Sequence, residues 1–428
     1  MTYTETLDYL YSRLPMFTRI GAAAMKKDLH NTIALCNALD NPQEKFSTIH
    51  IAGTNGKGST SHMLAAVLQQ AGYKTGLYTS PHLKDFRERI RINGEMITEE
   101  FVTGFTAAQQ GLIEEISPSF FEVTVAMAFS YFASCNVDVA IIEVGLGGRL
   151  DSTNIITPEL SVITNISYDH MNLLGNTLQE IAGEKAGIIK AGIPVVIGEH
   201  SAATDAIFTA RAREMSSPLI FADRELAATA VRREGTALVF DVLKKGVCRY
   251  ANLKLDLSGS YQLKNVLTVL SAIDVLQKKN FPVAETAIRS ALENTAALTG
   301  LQGRWQQLGE HPLIICDTGH NIAGIQEVLQ NISATPHQKL HMVIGMLNDK
   351  DVSGVLYLLP DHAAYYFCQP QLERAMPAEM LADKAAAYQL RGEVYSTVSA
   401  AVEAAKAAAG KDDMIFIGGS TFVVAEAL

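Results

Sequence analysis

The run Gly53-Thr54-Asn55-Gly56-Lys57-Gly58-Ser59-Thr60 constrains this chain more than any other feature. It lies between a short β-type segment, Phe46–Ile51 (FSTIHI), and the stretch Ser59–Ala71 (STSHMLAAVLQQA). In that stretch the apolar residues Met63, Leu64, Val67 and Leu68 recur with the helical period. A strand, a Gly-rich turn and a helix, in that order, are the setting a phosphate-binding loop requires. Glycines let successive N–H groups converge on an anion, and the helix start adds partial positive charge. Lys57 would neutralise phosphate oxygens, while Ser59 or Thr60 could cap the helix and reach Mg²⁺ or phosphate. The match to G-x-x-x-x-G-K-[ST] is inexact: Ile51 holds the first glycine position and Gly58 separates Lys57 from the hydroxyl residues. A Gly-rich turn with an incidental lysine is the plainer alternative, and the flanking strand and helix argue against it.

The pattern continues along the chain. Gly72 closes the helix and Lys74–Tyr78 reads as the next strand. Val137–Val144 (VDVAIIEV) is continuous and rich in β-branched residues, as a strand covered on both faces should be. Leu160–Ile166 and Pro194–Ile197 are similar, and together they predict an α/β fold with a doubly wound, mostly parallel sheet. A second block carries strands at Leu313–Cys316, Leu340–Ile344, Tyr365–Phe367 and Met414–Ile417, with a helix over Ser399–Ala409 ending at Gly410. This predicts a smaller α/β domain at the C-terminal end. Thr, Gly and Gln cluster over Thr295–Gly303, which places the junction there and divides the chain into 1–297 and 298–428.

A length of 428 residues suits two or three domains, and 48 % hydrophobic with 19 % charged residues excludes a disordered chain. The net charge of −10 argues against nucleic acid or a membrane surface as partner, so any anionic substrate must meet locally placed Lys and Arg. The five cysteines are odd in number and form no CxxC, which fits a reducing cytoplasm better than a disulfide framework or a zinc site. Residues 1–14 lack the pattern of a signal peptide, and no apolar run reaches the ~18 residues of a membrane span. A cytoplasmic monomer acting on small molecules is the expectation.

Further motifs follow the loop in order. They are Thr79-Ser80-Pro81-His82-Leu83, Phe86–Asn93 (FRERIRIN), Phe120-Phe121-Glu122, Glu143–Asp151 (EVGLGGRLD) with Thr153-Asn154, and Asp169-His170. Glu184–Ile188 (EKAGI), Gly303-Arg304, Asp317–Asn321 (DTGHN) and Gly418-Gly419-Ser420 complete the set. With GTNGKGST, this ordered set resembles the Mur ligase superfamily in its folylpolyglutamate/dihydrofolate synthase branch, from about Tyr9 to the C-terminus. The resemblance departs at Thr318-Gly319, where Val-Ala or Gly-Ala is usual, and at Leu301-Gln302, where Trp-Pro is usual.

The resemblance implies a Mur ligase-like central domain with a phosphate loop and a smaller Rossmann-like glutamate-ligase domain. It implies ATP-dependent addition of L-glutamate to a folate, to dihydropteroate, or to both, through an acyl phosphate. It implies ATP and Mg²⁺ as cofactors, with ATP on Gly53, Thr54, Asn55, Gly56, Lys57, Gly58, Ser59, Thr60 and Asn265. Arg304 and Asp317 would approach ATP from the second domain. Glu143, at the end of a buried strand, would hold Mg²⁺, with Ser80 and His170 as further metal ligands; an oxygen-loving Mg²⁺ seldom takes His, so His170 suits a second metal position. Lys57, His170 and Lys185 would be catalytic. The resemblance also raises a carbamylated Lys185, whose ammonium becomes a carboxylate-like ligand; a helix lysine paired with Glu184 or a phosphate is the alternative. Ser80, Pro81, His82, Phe121 and His320 would contact substrate, Phe121 or its neighbour Phe120 by stacking on the pterin.

Several plainer readings stand beside these. Ser80-Pro81 could be only a turn, the Phe pair only core, and Asp317 only the cap of the following helix. Arg87, Arg89 and Arg91 alternate as if on one strand face, which could receive an acidic glutamyl tail or simply be solvated. Three other functions compete: a peptidoglycan Mur-type ligase, an ATP-binding switch without ligase chemistry, and a dehydrogenase reading of Gly145–Gly148. The first lacks an obvious extra domain ahead of Gly53, the second is disfavoured by the intact set of charged motif residues, and GLGG is not G-x-G-x-x-G.

Overall fold

A computed structural model of the chain describes residues 1–16, 19, 21, 28–348 and 350–428. The residues form two compact units. The first comprises Met1–Ser167, Met171–Asp256 and Gln262–Leu301; the second comprises Tyr168–His170, Leu257–Tyr261 and Gln302–Leu428.

The first unit is built on eight strands: β1 (Ser47–Ala52), β2 (Thr75–Tyr78), β3 (Ile90–Ile92), β4 (Glu95–Met96), β5 (Val139–Glu143), β6 (Leu160–Ile163), β7 (Val195–Ile197) and β8 (Leu219–Phe221). Their spatial order is β4-β3-β2-β5-β1-β6-β7-β8. Pairing is parallel from β2 through to β8 and antiparallel for β2–β3 and β3–β4. β1 and β5 are central and buried on both faces, which is why their sequences are continuous rather than alternating. One face carries the helix Phe120–Ser134, whose Phe129 and Phe132 pack with Tyr78, Ala140 and Ile142. Toward β7, Ile163, Val195 and Ile197 pack with Ala182, Ala186 and Phe208.

The helix after β1 runs from Lys57 to Gln70 and starts at Gly56 in the left-handed conformation, two residues before the expected start at Ser59. Its residues 59–68 are all buried because the helices Gln262–Lys278 and Glu285–Glu293 cover it. The expected strand Leu160–Ile166 ends at Ile163, because Asn165 leaves the ladder and turns back to the phosphate loop.

A three-stranded antiparallel sheet, β9 (Leu226–Glu234), β10 (Ala237–Lys244) and β11 (Val247–Leu255), is an addition that the sequence does not announce. β9 (LAATAVRRE) is mostly exposed and lacks the apolar alternation that betrays a half-buried strand. Just after β11, Asp256 accepts the Ala296 N–H at 2.8 Å and so caps the helix Thr295–Thr299. Burial raises this carboxyl to about 6, against the opposing pull of the Ala296 and Thr295 amides. A raised acid binds more protons folded than unfolded, so stability falls as pH rises from about 4 to about 6 and is level above that. Asp256→Asn should remove this residue's share of that slope, so the parent's advantage over the variant should shrink between pH 4 and 6 and stay constant above that; parallel melts of the two proteins at pH 4, 5, 6 and 7.5 check it.

The second unit holds β12 (Gln306–Glu310), β13 (Leu313–Cys316), β14 (Leu340–Ile344), β15 (Ala364–Cys368), β16 (Gly392–Tyr395) and β17 (Met414–Gly418). Their order is β12-β13-β17-β14-β15-β16, parallel except for the β12–β13 pair. Apolar clusters on both faces make it a three-layer α/β domain in its own right. Among the described residues no helix is long and apolar enough to cross a membrane.

Candidate active site

The phosphate loop leaves the end of β1, at the centre of the sheet, where open α/β folds bind ligands. Its shape is set from outside. Thr54 N–H donates to the Asn165 carbonyl at 2.9 Å, and Asn165 Oδ1 accepts the Asn55 N–H at 3.1 Å. The Thr164 hydroxyl donates to the Asn55 carbonyl at 2.6 Å. Gly53 has φ +145°, and a Cβ there would lie 1.8 Å from Thr164 Oγ1. Gly56 has φ +83°, and a Cβ there would lie 2.3 Å from Asn265 Oδ1. Asn265 is thus packed against the loop; its Nδ2 donates to Gln262 Oε1, and Gln262 Nε2 donates to Ser59 Oγ at 3.1 Å. Thr60 is fully buried in the first turn of the helix, next to Gly58-Ser59.

Two ammonium groups meet at the start of this loop. Lys57 Nζ donates to the carbonyls of Gly53 and Thr54, both at 3.1 Å. Lys185, only 4 % exposed on the helix Leu178–Ala186, donates to the same Gly53 carbonyl at 2.9 Å. The alternative partner Glu184 is engaged by Arg149 at 2.9 Å.

Glu143 closes β5 beside the loop and is 4 % exposed. Its Oε2 accepts the Ser80 N–H at 3.1 Å, so the two first-unit residues expected at the metal stand together. One buried carboxylate beside a serine is a hard, oxygen-only donor set, which fits Mg²⁺ completed by water and phosphate oxygens. Among the described residues no three His, Cys, Asp or Glu side chains gather as a metal-binding group. The Gly145–Gly148 loop follows Glu143 directly and is tight on both sides. A Cβ on Gly145 would lie 2.5 Å from Phe121 Cζ, and one on Gly148 2.8 Å from the Glu184 carbonyl. Only glycines let the loop run between Phe121 and the Lys185 helix. Of the aromatic pair, Phe120 is core at 3 % exposure, which leaves Phe121 as the one beside the loop.

The Ser80–Leu83 loop is held from behind. Arg89 is 5 % exposed; its Nε donates to His82 Nδ1 at 2.7 Å, and its guanidinium lies 5.2 Å from the Phe120 ring centre. Burial, then the charge of Arg89, lowers the His82 imidazole to about 3, so His82 is neutral. Pro81 itself is exposed at the tip. The strand-face reading of the three arginines is corrected: Phe86–Arg89 is a turn of 3₁₀ helix and only Ile90–Ile92 is strand. Asp85, with Glu88 completing a capping box, starts that turn, so local hydrogen bonding overrides the period of two. Arg87 accordingly pairs with Asp85 and Glu99, while Arg91 donates to the Gly94 carbonyl.

In the second unit, Asp317 is buried at the end of β13. It accepts from Tyr261 Oη at 2.5 Å, Trp305 N at 2.7 Å and Gly319 N at 2.8 Å. It does not cap the next helix: Asn321 is the N-cap of Ile322–Ser333 and accepts the Gly324 N–H. Burial raises the Asp317 carboxyl, against those hydrogen bonds and the nearby Arg304 charge. Arg304 donates to the Gly303 carbonyl and the Thr318 hydroxyl. His170, with φ +49°, belongs to this unit rather than to the one that holds Glu143 and Ser80. Its neighbour Asp169 is the hub. It binds Lys350 Nζ at 2.7 Å and Asn321 Nδ2 at 3.0 Å, with His320 Nε2 at 3.4 Å. Burial alone would raise Asp169; the His320 hydrogen bond and the charges of His170 and Lys350 outweigh it and hold the carboxyl far below its ordinary range. Sequence reasoning misses Lys350, because no local motif marks it.

The description Mur ligase middle domain matches residues 51–273, and Mur ligase, glutamate ligase domain matches 303–421. A dihydrofolate synthase/folylpolyglutamate synthase of Bacillus subtilis is 32 % identical over 99 % of this chain and 98 % of its own length. A folylpolyglutamate synthase of Lacticaseibacillus casei is 34 % identical over 88 % of each. Among solved structures, E. coli FolC in complex with DHPP and ADP superposes with a TM-score of 0.88 at 29 % identity, covering 100 % of this chain and 97 % of that one. Mycobacterium tuberculosis folylpolyglutamate synthase complexed with ADP gives 0.88 at 30 %, over 99 % and 97 %. With the domain matches in the same order as the two compact units, this chain belongs to the dihydrofolate synthase/folylpolyglutamate synthase family of Mur ligases.

Proposed function

We propose that the chain uses ATP to join L-glutamate to a folate, to dihydropteroate, or to both. The observation that carries this reading is the pair of ammonium groups on one carbonyl: Lys57 and Lys185 both donate to Gly53 O at the start of a phosphate loop. Two cations held together in advance suit a reaction whose transition states concentrate negative charge. A substrate carboxylate oxygen attacks the γ-phosphorus and ADP leaves; the glutamate amine then attacks the acyl carbon and inorganic phosphate leaves with that oxygen. Amides of the loop and Lys57 orient the phosphates, and Lys185 stabilises charge on the transferred group. Glu143 and Ser80 would hold Mg²⁺, which neutralises phosphate oxygens when bound. Phe121, beside the Gly145–Gly148 loop, and His82 are read as pterin-side contacts, with Pro81 at the tip of the same loop. Asn265 lies against Gly56 and is read as the adenine-side residue.

From the second unit, Arg304 and Asp317 are read as approaching ATP, His320 as a substrate contact and His170 as a catalytic residue and further metal ligand; the glutamate ligase domain match over residues 303–421 supports a part for this unit in the reaction. Carried forward beside it is the carbamylated form of Lys185, which would replace the second cation by a carboxylate-like metal ligand at the same buried place. So are a monomeric state and a cytoplasmic setting, with neither nucleic acid nor membrane as partner, in keeping with the net charge of −10. The experiment is phosphate release from ATP and Mg²⁺ with glutamate, supplied first with dihydropteroate and then with tetrahydrofolate. Release that needs both glutamate and a pteridine supports the reading, and the pteridine accepted says which activity is present. Release without them, or none with either, overturns it.

A further inference from the structure

His50 lies in the middle of β1, fully buried between β5 and β6, and no part of the reaction above uses it. Its Nε2 is 2.8 Å from Thr153 Oγ1. Thr153 in turn donates its hydroxyl to Asp151 Oδ1 at 2.5 Å. A threonine hydroxyl has one proton, so with that proton given to Asp151 the contact to His50 must be supplied by a His50 Nε2–H. Nδ1 is then a bare lone pair, and among the described residues it has no hydrogen-bond partner. A buried polar atom left unmatched costs stability, so His50 is not explained by core packing alone.

The chain of hydrogen bonds ends on a loop. Asp151 Oδ2 accepts the Leu146 N–H at 2.8 Å, and the Gly145 amide donates to the same carboxyl. Gly145 is the residue pressed on Phe121, and Gly148 is the one pressed on the Lys185 helix. Arg149 N–H then donates to the Glu184 carbonyl at 2.8 Å. The direction of every bond from His50 outward is thus set, and the last one determines where the Gly145–Gly148 loop sits.

We propose that His50 and Thr153 are positioning residues: through Asp151 they hold the Gly145–Gly148 loop in register between Phe121 and Lys185. The inference rests on the functional reading above for its kinetic consequence, though not for its structural one. Among the described residues neither side chain hydrogen-bonds to residues 53–60, so the pteridine end and the rate of the chemical step should suffer while ATP binding does not. A displacement of about 1 Å in groups that position the reacting atoms costs up to about a hundredfold in rate.

The test uses His50→Leu, His50→Gln, Thr153→Val and Thr153→Ser in the full chain. Gln can present an amide N–H near the Nε2 position, and Ser keeps the hydroxyl. Hydrogen exchange of the 144–151 segment is followed by mass spectrometry, and kcat and KM are measured for each substrate. The His50→Leu and Thr153→Val proteins should exchange faster over 144–151 with the 53–60 segment unchanged. They should also lose about tenfold or more in kcat/KM for the pteridine with KM for ATP within twofold. His50→Gln and Thr153→Ser should recover most of both, and the double His50→Leu/Thr153→Val should be no worse than either single change. If His50→Leu and Thr153→Val lower the melting temperature alone, with exchange over 144–151 and turnover as in the parent, the proposal is wrong. A parent protein silent with every pteridine would overturn the functional reading instead, and the exchange data would still decide the positioning role.

Discussion

Lys57→Ala is expected to keep the fold and to lose about a thousandfold in the rate of ATP-dependent phosphate release, the scale on which a preorganised charge contributes to a phosphoryl-transfer step. Among the described residues the Nζ of Lys57 bonds only to two carbonyls of its own loop, at 3.1 Å each, in a half-buried position. Removing it should therefore change stability by no more than about 1 kcal/mol. Its loss is felt where the triphosphate charge collects, because the chain is acidic overall and Lys57 is the lysine built into the loop itself. Lys57→Arg keeps the charge but replaces a compact ammonium with a planar fork that the tight Gly53–Gly58 turn cannot seat, so it should rescue poorly. Melting curves and phosphate release measured on the same preparations check this. A rate within tenfold of the parent would remove Lys57 from the centre of the mechanism.

Gly53→Ala is the second large effect, and its origin is steric. The backbone there has φ +145°, a conformation essentially reserved for glycine, and a Cβ would meet Thr164 Oγ1 at 1.8 Å. Thr164 cannot simply swing away, because its hydroxyl holds the Asn55 carbonyl at 2.6 Å and its N–H holds the Ala52 carbonyl at 2.9 Å. The chain must either strain or reshape the loop. A destabilisation of about 2–4 kcal/mol follows from the backbone conformation and the displaced neighbour together. ATP affinity should fall at least about a hundredfold, because the converging N–H groups lose their alignment. Adding Thr164→Ala should restore part of the melting temperature and little of the ATP affinity, because the bond to Asn55 is lost with the hydroxyl. Calorimetric ATP titration and thermal melting of the single and double variants separate the two effects.

The parts of the molecule that sequence reveals best are those whose cause is local. The phosphate loop is visible because glycine spacing, a lysine and a helix start are neighbours, and β5 because VDVAIIEV can only be a strand covered on both faces. The second domain's core strands are visible for the same reason. Contacts across long stretches of chain leave no such trace. Asp169 meets His320, Asn321 and Lys350 more than a hundred residues downstream, and His50 meets Thr153 across a sheet. Their residue types are ordinary and only the fold brings them together. Local signals also mislead when two compete. The alternation of Arg87, Arg89 and Arg91 suggests a strand, yet the Asp85 and Glu88 capping box wins and the three arginines part company. Asp317 sits a few residues before a helix and looks like its cap, but Asn321 is closer and takes that role. β9 escapes notice because an exposed strand need not alternate.

The measurement that bears most directly on the ligase account follows one oxygen atom. Dihydropteroate or tetrahydrofolate labelled with ¹⁸O in the reacting carboxylate is turned over with ATP, Mg²⁺ and glutamate, and the released phosphate is weighed by mass spectrometry. Attack of that carboxylate on the γ-phosphorus, followed by attack of the glutamate amine on the acyl carbon, places one labelled oxygen in each phosphate and forms one ADP per amide bond. Unlabelled phosphate alongside amide formation, or AMP and pyrophosphate in place of ADP and phosphate, would contradict the account.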